Sequence, residues 1–175
     1  HLKRIIGYEK LGRIVVIKGP RRTGKTTLMY QYIASLLKKG IDPEAILYAS
    51  MDDLNLRLPL QQLLDARQTF FEQNLPKRSY LFLDEIQFLE NWSSEAKLIT
   101  DRNSSIHLTV SSSSASILIR SSESLAGRTI EEMVLPFTVR ETIFADQTTT
   151  NKPLLNWLQS RPHLTLPHWR FKPEA

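Results

Sequence analysis

A glycine-containing segment near the start of the chain has the residue types and spacing needed to hold a phosphate chain. Residues 19–26 read Gly-Pro-Arg-Arg-Thr-Gly-Lys-Thr and follow the β-branched run Ile-Val-Val-Ile at 14–17. A phosphate chain carries several negative charges, which converging backbone N–H groups and a helix N-terminus can hold. The glycines permit a tight turn and a close approach of the backbone to the ligand. The segment therefore predicts a P-loop that binds ATP.

Two side chains of this loop are given chemical roles. Lys25 is expected to reach the β- and γ-phosphates, where it also serves catalysis, and the hydroxyl of Thr26 is expected to ligate Mg²⁺. The alternative is a structural glycine turn, and the strand before it and the helix after it argue against that interpretation. The residues predicted to bind the nucleotide are Gly19, Pro20, Arg21, Arg22, Thr23, Gly24, Lys25, Thr26 and Thr27.

An acidic pair follows another apolar run. Asp84 and Glu85 come directly after Tyr-Leu-Phe-Leu at 80–83, and open α/β sheets bind their ligands at the carboxyl ends of the strands. Asp84 is expected to orient Mg²⁺ through its water shell, and Glu85 to polarise the attacking water as general base. The alternative is an acidic pair that only begins a loop. With the P-loop upstream, the pair favours hydrolysis over binding alone.

Two further polar segments are candidates for the site. Serines fill positions 111–114, and one hydroxyl among them, assigned to Ser113, is expected to hold the attacking water or the γ-phosphate. A simple serine-rich turn is the alternative. Arg128 is assigned a catalytic role, in which its charge stabilises the transferred phosphoryl group. The alternative for Arg128 is a surface pair with Glu131 or Glu132.

Apolar runs alternate with amphipathic segments along most of the chain. Strands are predicted at 14–17, 46–49, 80–83, 106–110 and 133–135. Helices are predicted from Thr26 to a stop signal at Gly40, at 60–71, at 92–99, and from a capping box of Thr138 and Glu141 through Phe144. This alternation is typical of an α/β fold with helices on both faces of a parallel sheet.

The regular pattern ends near residue 145. Residues 1–145 are therefore assigned to an ATP-binding domain. Residues 146–175 contain four prolines, which forbid long regular elements, and are expected to be an irregular tail or the start of a truncated C-terminal module.

Composition restricts the function classes. At 175 residues with 41% apolar content, the chain can bury one full core. It contains no cysteine, which excludes disulfides, thiolate metal sites and cysteine nucleophiles. The sequence has no apolar run near the roughly 20 residues of a membrane span and no secretory signal, so a cytoplasmic location is expected. The net charge of +5 is a weak indication of an anionic partner. His163 and His168 are interpreted as an incidental pair rather than a metal site.

Several of these segments together resemble prokaryotic AAA-superfamily ATPases of the archaeal ATPase type. They are residues 19–28, 41–48 (Ile-Asp-Pro-Glu-Ala-Ile-Leu-Tyr), 83–87 (Leu-Asp-Glu-Ile-Gln), Asn91-Trp92, the serine run, 125–128 (Leu-Ala-Gly-Arg) and 135–137 (Leu-Pro-Phe). The resemblance covers about residues 10–145. It implies a three-layer P-loop NTPase fold, with a parallel five-stranded sheet of order 5-1-4-3-2, and ATP with Mg²⁺ as the bound species. One departure is Ser112, where the family more often has glycine, so the local backbone is expected to differ.

The leading functional hypothesis is an AAA-type ATPase that couples hydrolysis of ATP to ADP with movement of an attached domain or partner. Family members usually continue into a winged-helix or other C-terminal module, so a protein or nucleic-acid partner is expected to act through such a region, and a homo-oligomer is a further expectation. One alternative is a nucleotide-gated binding module, associated with nucleic acid, that hydrolyses little ATP. A P-loop kinase is a less favoured alternative, because Asp84 and Glu85 favour water as the acceptor.

Overall fold

The computed structural model describes residues 1–71, 78–113 and 125–137. The helices are α1 (Leu2–Tyr8), α2 (Lys25–Lys38), α3 (Leu60–Phe71) and α4 (Trp92–Arg102). The strands are β1 (Ile14–Lys18), β2 (Ile46–Ser50), β3 (Ser79–Asp84), β4 (Ile106–Ser112) and β5 (Thr129–Met133). Short 3-10 turns lie at Glu9–Leu11, Pro43–Ala45, Leu54–Leu56 and Ile86–Phe88.

The five strands form one sheet in which every pairing is parallel. Their order is β2-β3-β4-β1-β5, which confirms the predicted order 5-1-4-3-2. The central strand β1 lies between β4 and β5, and its Ile17 is in register with Ser111 and Glu132. Because all strands run the same way, the segments that follow β1, β3 and β4 meet at one edge of the sheet.

Apolar side chains of the strands alternate between two cores, one on each face of the sheet. Val15 and Ile17 of β1 pack with α1 and α2, whereas Ile14 and Val16 pack with α3 and α4. The helical residues of the first core include Ile5, Met29, Tyr32 and Leu36, and those of the second include Leu60, Leu64, Trp92, Ala96 and Ile99. Each fully buried side chain of this kind contributes roughly 1.5–3 kcal/mol. The predicted three-layer arrangement is therefore confirmed.

The helices and strands around the predicted P-loop lie close to their predicted positions. Helix α2 begins at Lys25, after Gly24 in the left-handed region at φ +89°. It ends at Lys38, and the following turn includes Gly40 at φ +80°, which is the predicted stop signal. Helix α1 was not predicted from the sequence; it has only 7 residues, about two turns, and the complete burial of its Ile5 holds it against the sheet.

The position of the fifth strand was predicted wrongly. It spans Thr129–Met133 rather than 133–135. The sequence there contains Glu131 and Glu132, which looks unlike a strand. The structure accommodates both, because Glu131 pairs with Lys18 and the buried Glu132 accepts hydrogen bonds from α1. After the strand, the N–H of Val134 still donates to the carbonyl of Lys18 at 2.7 Å.

The described residues up to Pro136 form one compact unit. The predicted helix from Thr138 through Phe144 and the predicted boundary at residue 145 lie outside the described residues. Within the ranges that are described, no helix is long and apolar enough to cross a membrane.

Candidate functional site

The loop between β1 and α2 requires glycine at its first position. A Cβ atom on Gly19 would lie 2.0 Å from the carbonyl oxygen of Val134, which is far inside van der Waals contact. Gly24 has open space around it, but its left-handed backbone at φ +89° favours glycine. Arg22 also has a positive φ, of +64°. The loop is thus held in a tight conformation and continues directly into the first turn of α2.

Lys25 lies folded against this loop. Its side chain is only 4% exposed, and its ammonium group donates to the carbonyl oxygen of Pro20 at 2.8 Å. The hydroxyl of Thr23 donates to the same oxygen at 3.0 Å. These two bonds close the loop on itself and place the lysine charge at its centre. Pro20 and Arg21 lie on the exposed side of the loop.

A cavity of ≈ 290 Å³ opens beside the loop. It is lined by Arg22, Gly24, Lys25, Thr26, Thr27 and Glu85. Its wall therefore combines two basic side chains, the N-terminus of a 14-residue helix and one carboxylate. The helix N-terminus and the lysine suit an anionic ligand.

Asp84 ends β3 and is almost completely buried, with 3% exposure. Its Oδ2 accepts hydrogen bonds from the hydroxyl of Thr26 at 2.6 Å and from the hydroxyl of Tyr48 at 3.1 Å. Its Oδ1 accepts from the hydroxyl of Ser111 on β4. The carboxylate is thereby fixed by three hydroxyl groups from three different elements, α2, β2 and β4. Hydroxyl and carboxylate oxygens are the donors that Mg²⁺ prefers.

Glu85 adopts a left-handed backbone conformation directly after Asp84, with φ of +52°. Its N–H donates to Ser111 Oγ at 3.0 Å and to Asp84 Oδ1 at 3.2 Å, which holds the residue in this conformation. A non-glycine residue in the left-handed region costs about 1–2 kcal/mol, and such residues cluster at functional sites. The turn directs the Glu85 side chain into the wall of the cavity.

The side chain of Gln87 links the Glu85 carboxylate to the end of β4. Gln87 Nε2 donates to Glu85 Oε2 and, at 2.9 Å, to Ser113 Oγ. Gln87 Oε1 accepts from the hydroxyl of Ser112 at 3.0 Å. Ser112 is buried in β4 without a positive φ, so the structure shows no special backbone angle where the family more often has glycine. Ser114 lies outside the described residues.

Tyr48 and Gln87 contact the predicted site residues, and sequence reasoning gave neither a role. Burial raises the pKa of the Tyr48 phenol, and hydrogen bonding to Tyr30 and the charge of Asp84 raise it further, so the hydroxyl stays protonated and donates. The sequence contains only weak indications that these two residues belong to the site. Tyr48 lies on a predicted strand, and Gln87 follows the acidic pair by two residues.

The structure places Arg128 away from the phosphate loop. Arg128 precedes β5, and its carbonyl accepts from the N–H of Ile14 at the start of β1. The phosphate loop follows the other end of β1, and five residues at about 3.3 Å each separate the two positions by roughly 16 Å. The guanidinium instead forms an ion pair with Asp101 at the surface. The alternative surface pair with Glu131 or Glu132 is incorrect, because Arg128 pairs with Asp101 and both glutamates bind other side chains.

The sequence matches known proteins over most of its length. Residues 11–143 match a family model described as an AAA domain. An uncharacterized protein of Haemophilus influenzae is 29% identical over 168 residues, covering 91% of this chain and 40% of that protein. An uncharacterized protein of Methanocaldococcus jannaschii is 36% identical over 133 residues, covering 75% of this chain and 28% of that protein. The chain therefore spans well under half the length of these relatives.

Solved structures share the fold at low sequence identity. PCH-2 of C. elegans superimposes with a TM-score of 0.56 at 15% identity, covering 99% of this chain and 48% of that one. A Walker-type ATPase of Pyrococcus abyssi gives a TM-score of 0.52 at 14% identity, covering 95% of this chain and 59% of that one. These likenesses concern the fold alone.

Proposed function

Because the chain belongs to the AAA domain family, we propose that it binds ATP with Mg²⁺ and hydrolyses the γ-phosphate bond to drive movement of an attached domain or partner. One observation carries this proposal. The hydroxyl of Thr26 and the carboxylate of Asp84 lie 2.6 Å apart, next to a cavity lined by Lys25 and Glu85. Lys25, Thr26 and Glu85 thus line one cavity, and Asp84 is hydrogen-bonded to Thr26 beside it.

The residues of the loop hold the triphosphate. The backbone N–H groups of the first turn of α2, whose residues line the cavity, bind the phosphates, and the Lys25 ammonium leaves the Pro20 carbonyl to contact the β- and γ-phosphates. The buried position of Lys25 strengthens this contact, because charges interact more strongly where water is scarce. Arg22 is exposed and also lines the cavity, so it adds positive charge there.

The oxygens of Thr26 and Asp84 fit a magnesium ion. Mg²⁺ usually takes one or two protein oxygens and completes its shell with water and substrate phosphates. Thr26 would bind the ion through its hydroxyl, and Asp84 would act through the water shell. When bound, the ion neutralises charge on the phosphate oxygens.

Glu85 takes a proton from the water that attacks the γ-phosphate. Glu85 lines the same cavity as Lys25 and Thr26, where such a water would stand. The left-handed turn at Glu85 and the bonds to its N–H support this role, because they fix the base before substrate binds. A preformed geometry reduces the reorganisation needed in the transition state.

The length of the relatives supports the proposed coupling to movement. In both, the matched segment is only part of a longer chain, which supports an attached module as the part that moves. The cytoplasmic location and the homo-oligomeric state stay predictions from the sequence, as does the contribution of Ser113.

Replacement of Lys25 tests nucleotide binding. We expect Lys25→Ala to weaken ATP binding by about 10- to 100-fold, because a hydrogen bond to a charged group contributes about 1.5–3 kcal/mol. Lys97→Ala, at an exposed position of α4, is the matched control and should bind ATP like the parent chain. Calorimetric titration with ATP and Mg²⁺ measures both. Unchanged affinity in Lys25→Ala would refute the assignment of the loop.

A further inference from the structure

The side chain of Gln87 joins the proposed base to the end of β4 through a single amide. Its Nε2 group donates to Glu85 Oε2 and to Ser113 Oγ, the second bond being 2.9 Å long. Its Oε1 accepts from Ser112 Oγ at 3.0 Å and from the N–H of Ser113 at 3.4 Å. Both Nε2 and Oε1 of the amide therefore form hydrogen bonds, and one of the two bonds from Nε2 goes to Glu85.

The backbone makes this contact geometrically possible. Gln87 belongs to the 3-10 turn Ile86–Phe88, and the left-handed conformation of Glu85 begins that turn. The reversal at Glu85 brings two side chains separated by one residue onto the same side. Apart from Glu85, every contact of the Gln87 amide described above is to Ser112 or Ser113, so the amide joins the segments that follow β3 and β4.

We propose that Gln87 is a positioning residue, which orients the Glu85 carboxylate and makes its orientation depend on what the hydroxyl of Ser113 contacts. This inference rests on the proposed function, in which Glu85 is the base. A γ-phosphate that engages Ser113 changes the partner of the second Gln87 N–H bond. The same amide then passes this change to Glu85, so the base responds to a triphosphate and not to a diphosphate.

A purely structural role for Gln87 makes different predictions. If the glutamine only stabilised the turn, its loss would lower the stability of the chain. It would then change turnover by the same factor whether or not residue 85 carried a base. A positioning residue acts through Glu85, so its loss should affect turnover only while Glu85 is present. The two roles are therefore separable by combining substitutions.

The first experiment is a double-mutant cycle. We expect Gln87→Met to lower kcat by about 10-fold while KM for ATP and the melting temperature stay near parent values. In a Glu85→Gln background, Gln87→Met should change the residual rate by less than about 2-fold. Gln61→Met is the matched control, because Gln61 also donates to a carboxylate, Asp65 at 2.9 Å, and both residues are exposed on α3. Equal losses in both backgrounds, or a loss confined to KM or stability, would overturn the proposal.

The second experiment does not depend on turnover. The side-chain amide signals of Gln87 are recorded by NMR on this 20.2 kDa chain and identified by their absence in Gln87→Met. We expect ATPγS with Mg²⁺ to shift these signals, ADP with Mg²⁺ to shift them much less, and Ser113→Ala to remove the difference. Identical positions with both nucleotides would overturn the inference. A chain that shows the difference yet hydrolyses no ATP would retain the link and refute the proposed hydrolysis.

Discussion

Thr26 Oγ1 donates a hydrogen bond of 2.6 Å to Asp84 Oδ2, although the strands that lead to these two residues are not neighbours in the sheet. Thr26 lies in the first turn of α2, after β1, and Asp84 ends β3, with β4 between those two strands. The parallel sheet brings both oxygens to the same edge, although 58 positions separate them in the chain. The proposed magnesium site is thus a property of the sheet order and not of either segment alone.

Removing the charge of Asp84 should alter the metal requirement of nucleotide binding. We expect Asp84→Asn to need about 10-fold more Mg²⁺ for half-maximal ATP binding, because the amide is a weaker partner for the ion and its waters. Titration of ATP binding against Mg²⁺ measures the shift. Asp65→Asn, at an exposed position of α3, is the control. Since Asp84 also holds Tyr48 and Ser111, melting temperatures should accompany the titration. An unchanged Mg²⁺ requirement in a folded variant would contradict the assignment.

Arg128 is expected to contribute little to the chain's own site. It is 42% exposed and its partner Asp101 is 44% exposed, so the pair contributes at most about 1 kcal/mol to stability. We expect Arg128→Ala to keep ATP affinity and to keep turnover per chain in dilute solution.

Mixing variants checks whether Arg128 acts on a second copy instead. Lys25→Ala chains carry an intact Arg128 but a defective loop. If they restored a lost turnover of Arg128→Ala chains, and the restoration grew with protein concentration, Arg128 would act between copies. That result would contradict the expectation of unchanged turnover.

The pH dependence of stability should report the burial of His107. Burial lowers the pKa of this imidazole, the charge of Arg78 lowers it further, and Glu9 opposes both; the ring stacks on Tyr80 at 5.1 Å. The unfolded chain therefore binds the proton more tightly than the folded chain does. The free energy of unfolding should fall as the pH decreases below the ordinary value of 6.5.

Replacing His107 by phenylalanine isolates this effect. The variant keeps a stacked ring but cannot be protonated. The free energy of unfolding of the parent, minus that of the variant, should therefore decrease as the pH is lowered from about one unit above 6.5 to about one unit below it. Urea unfolding at each pH measures the difference, and comparing two chains cancels the carboxylates that they share. A constant difference across that range would show that burial does not affect protonation of His107.

The sequence predicted those parts of the site that are encoded in contiguous residues. Gly19 to Thr26 form one loop, and Asp84 follows one apolar strand, so each position could be inferred from its immediate neighbours. The sheet order followed from resemblance to a known family. Burial patterns alone do not determine it, because every inner strand of a parallel sheet is apolar on both faces.

Other parts depend on contacts between distant segments and could not be predicted. Two adjacent glutamates, Glu131 and Glu132, argued against a strand at β5. The ion pairs that accommodate them involve Lys18 and Arg4, which lie more than a hundred residues away in the chain. Because β5 was predicted at 133–135, the sequence did not show that Arg128 lies directly before this strand. That position is at the edge of the sheet opposite the phosphate loop. Gln87 acquires its contacts only because Glu85 turns into the left-handed region, which the sequence does not indicate.

The central claim is that Glu85 is the base for ATP hydrolysis. The most direct measurement is the single-turnover rate of ATP hydrolysis by Glu85→Gln, with ATP affinity measured alongside. Amide and carboxylate have nearly the same shape, so packing should survive while the base is lost. Glu90→Gln, at an exposed position five residues further on, is the matched control. We predict that Glu85→Gln binds ATP with Mg²⁺ like the parent and hydrolyses it about 10²- to 10⁴-fold more slowly. Equal rates for the parent and Glu85→Gln would contradict the account.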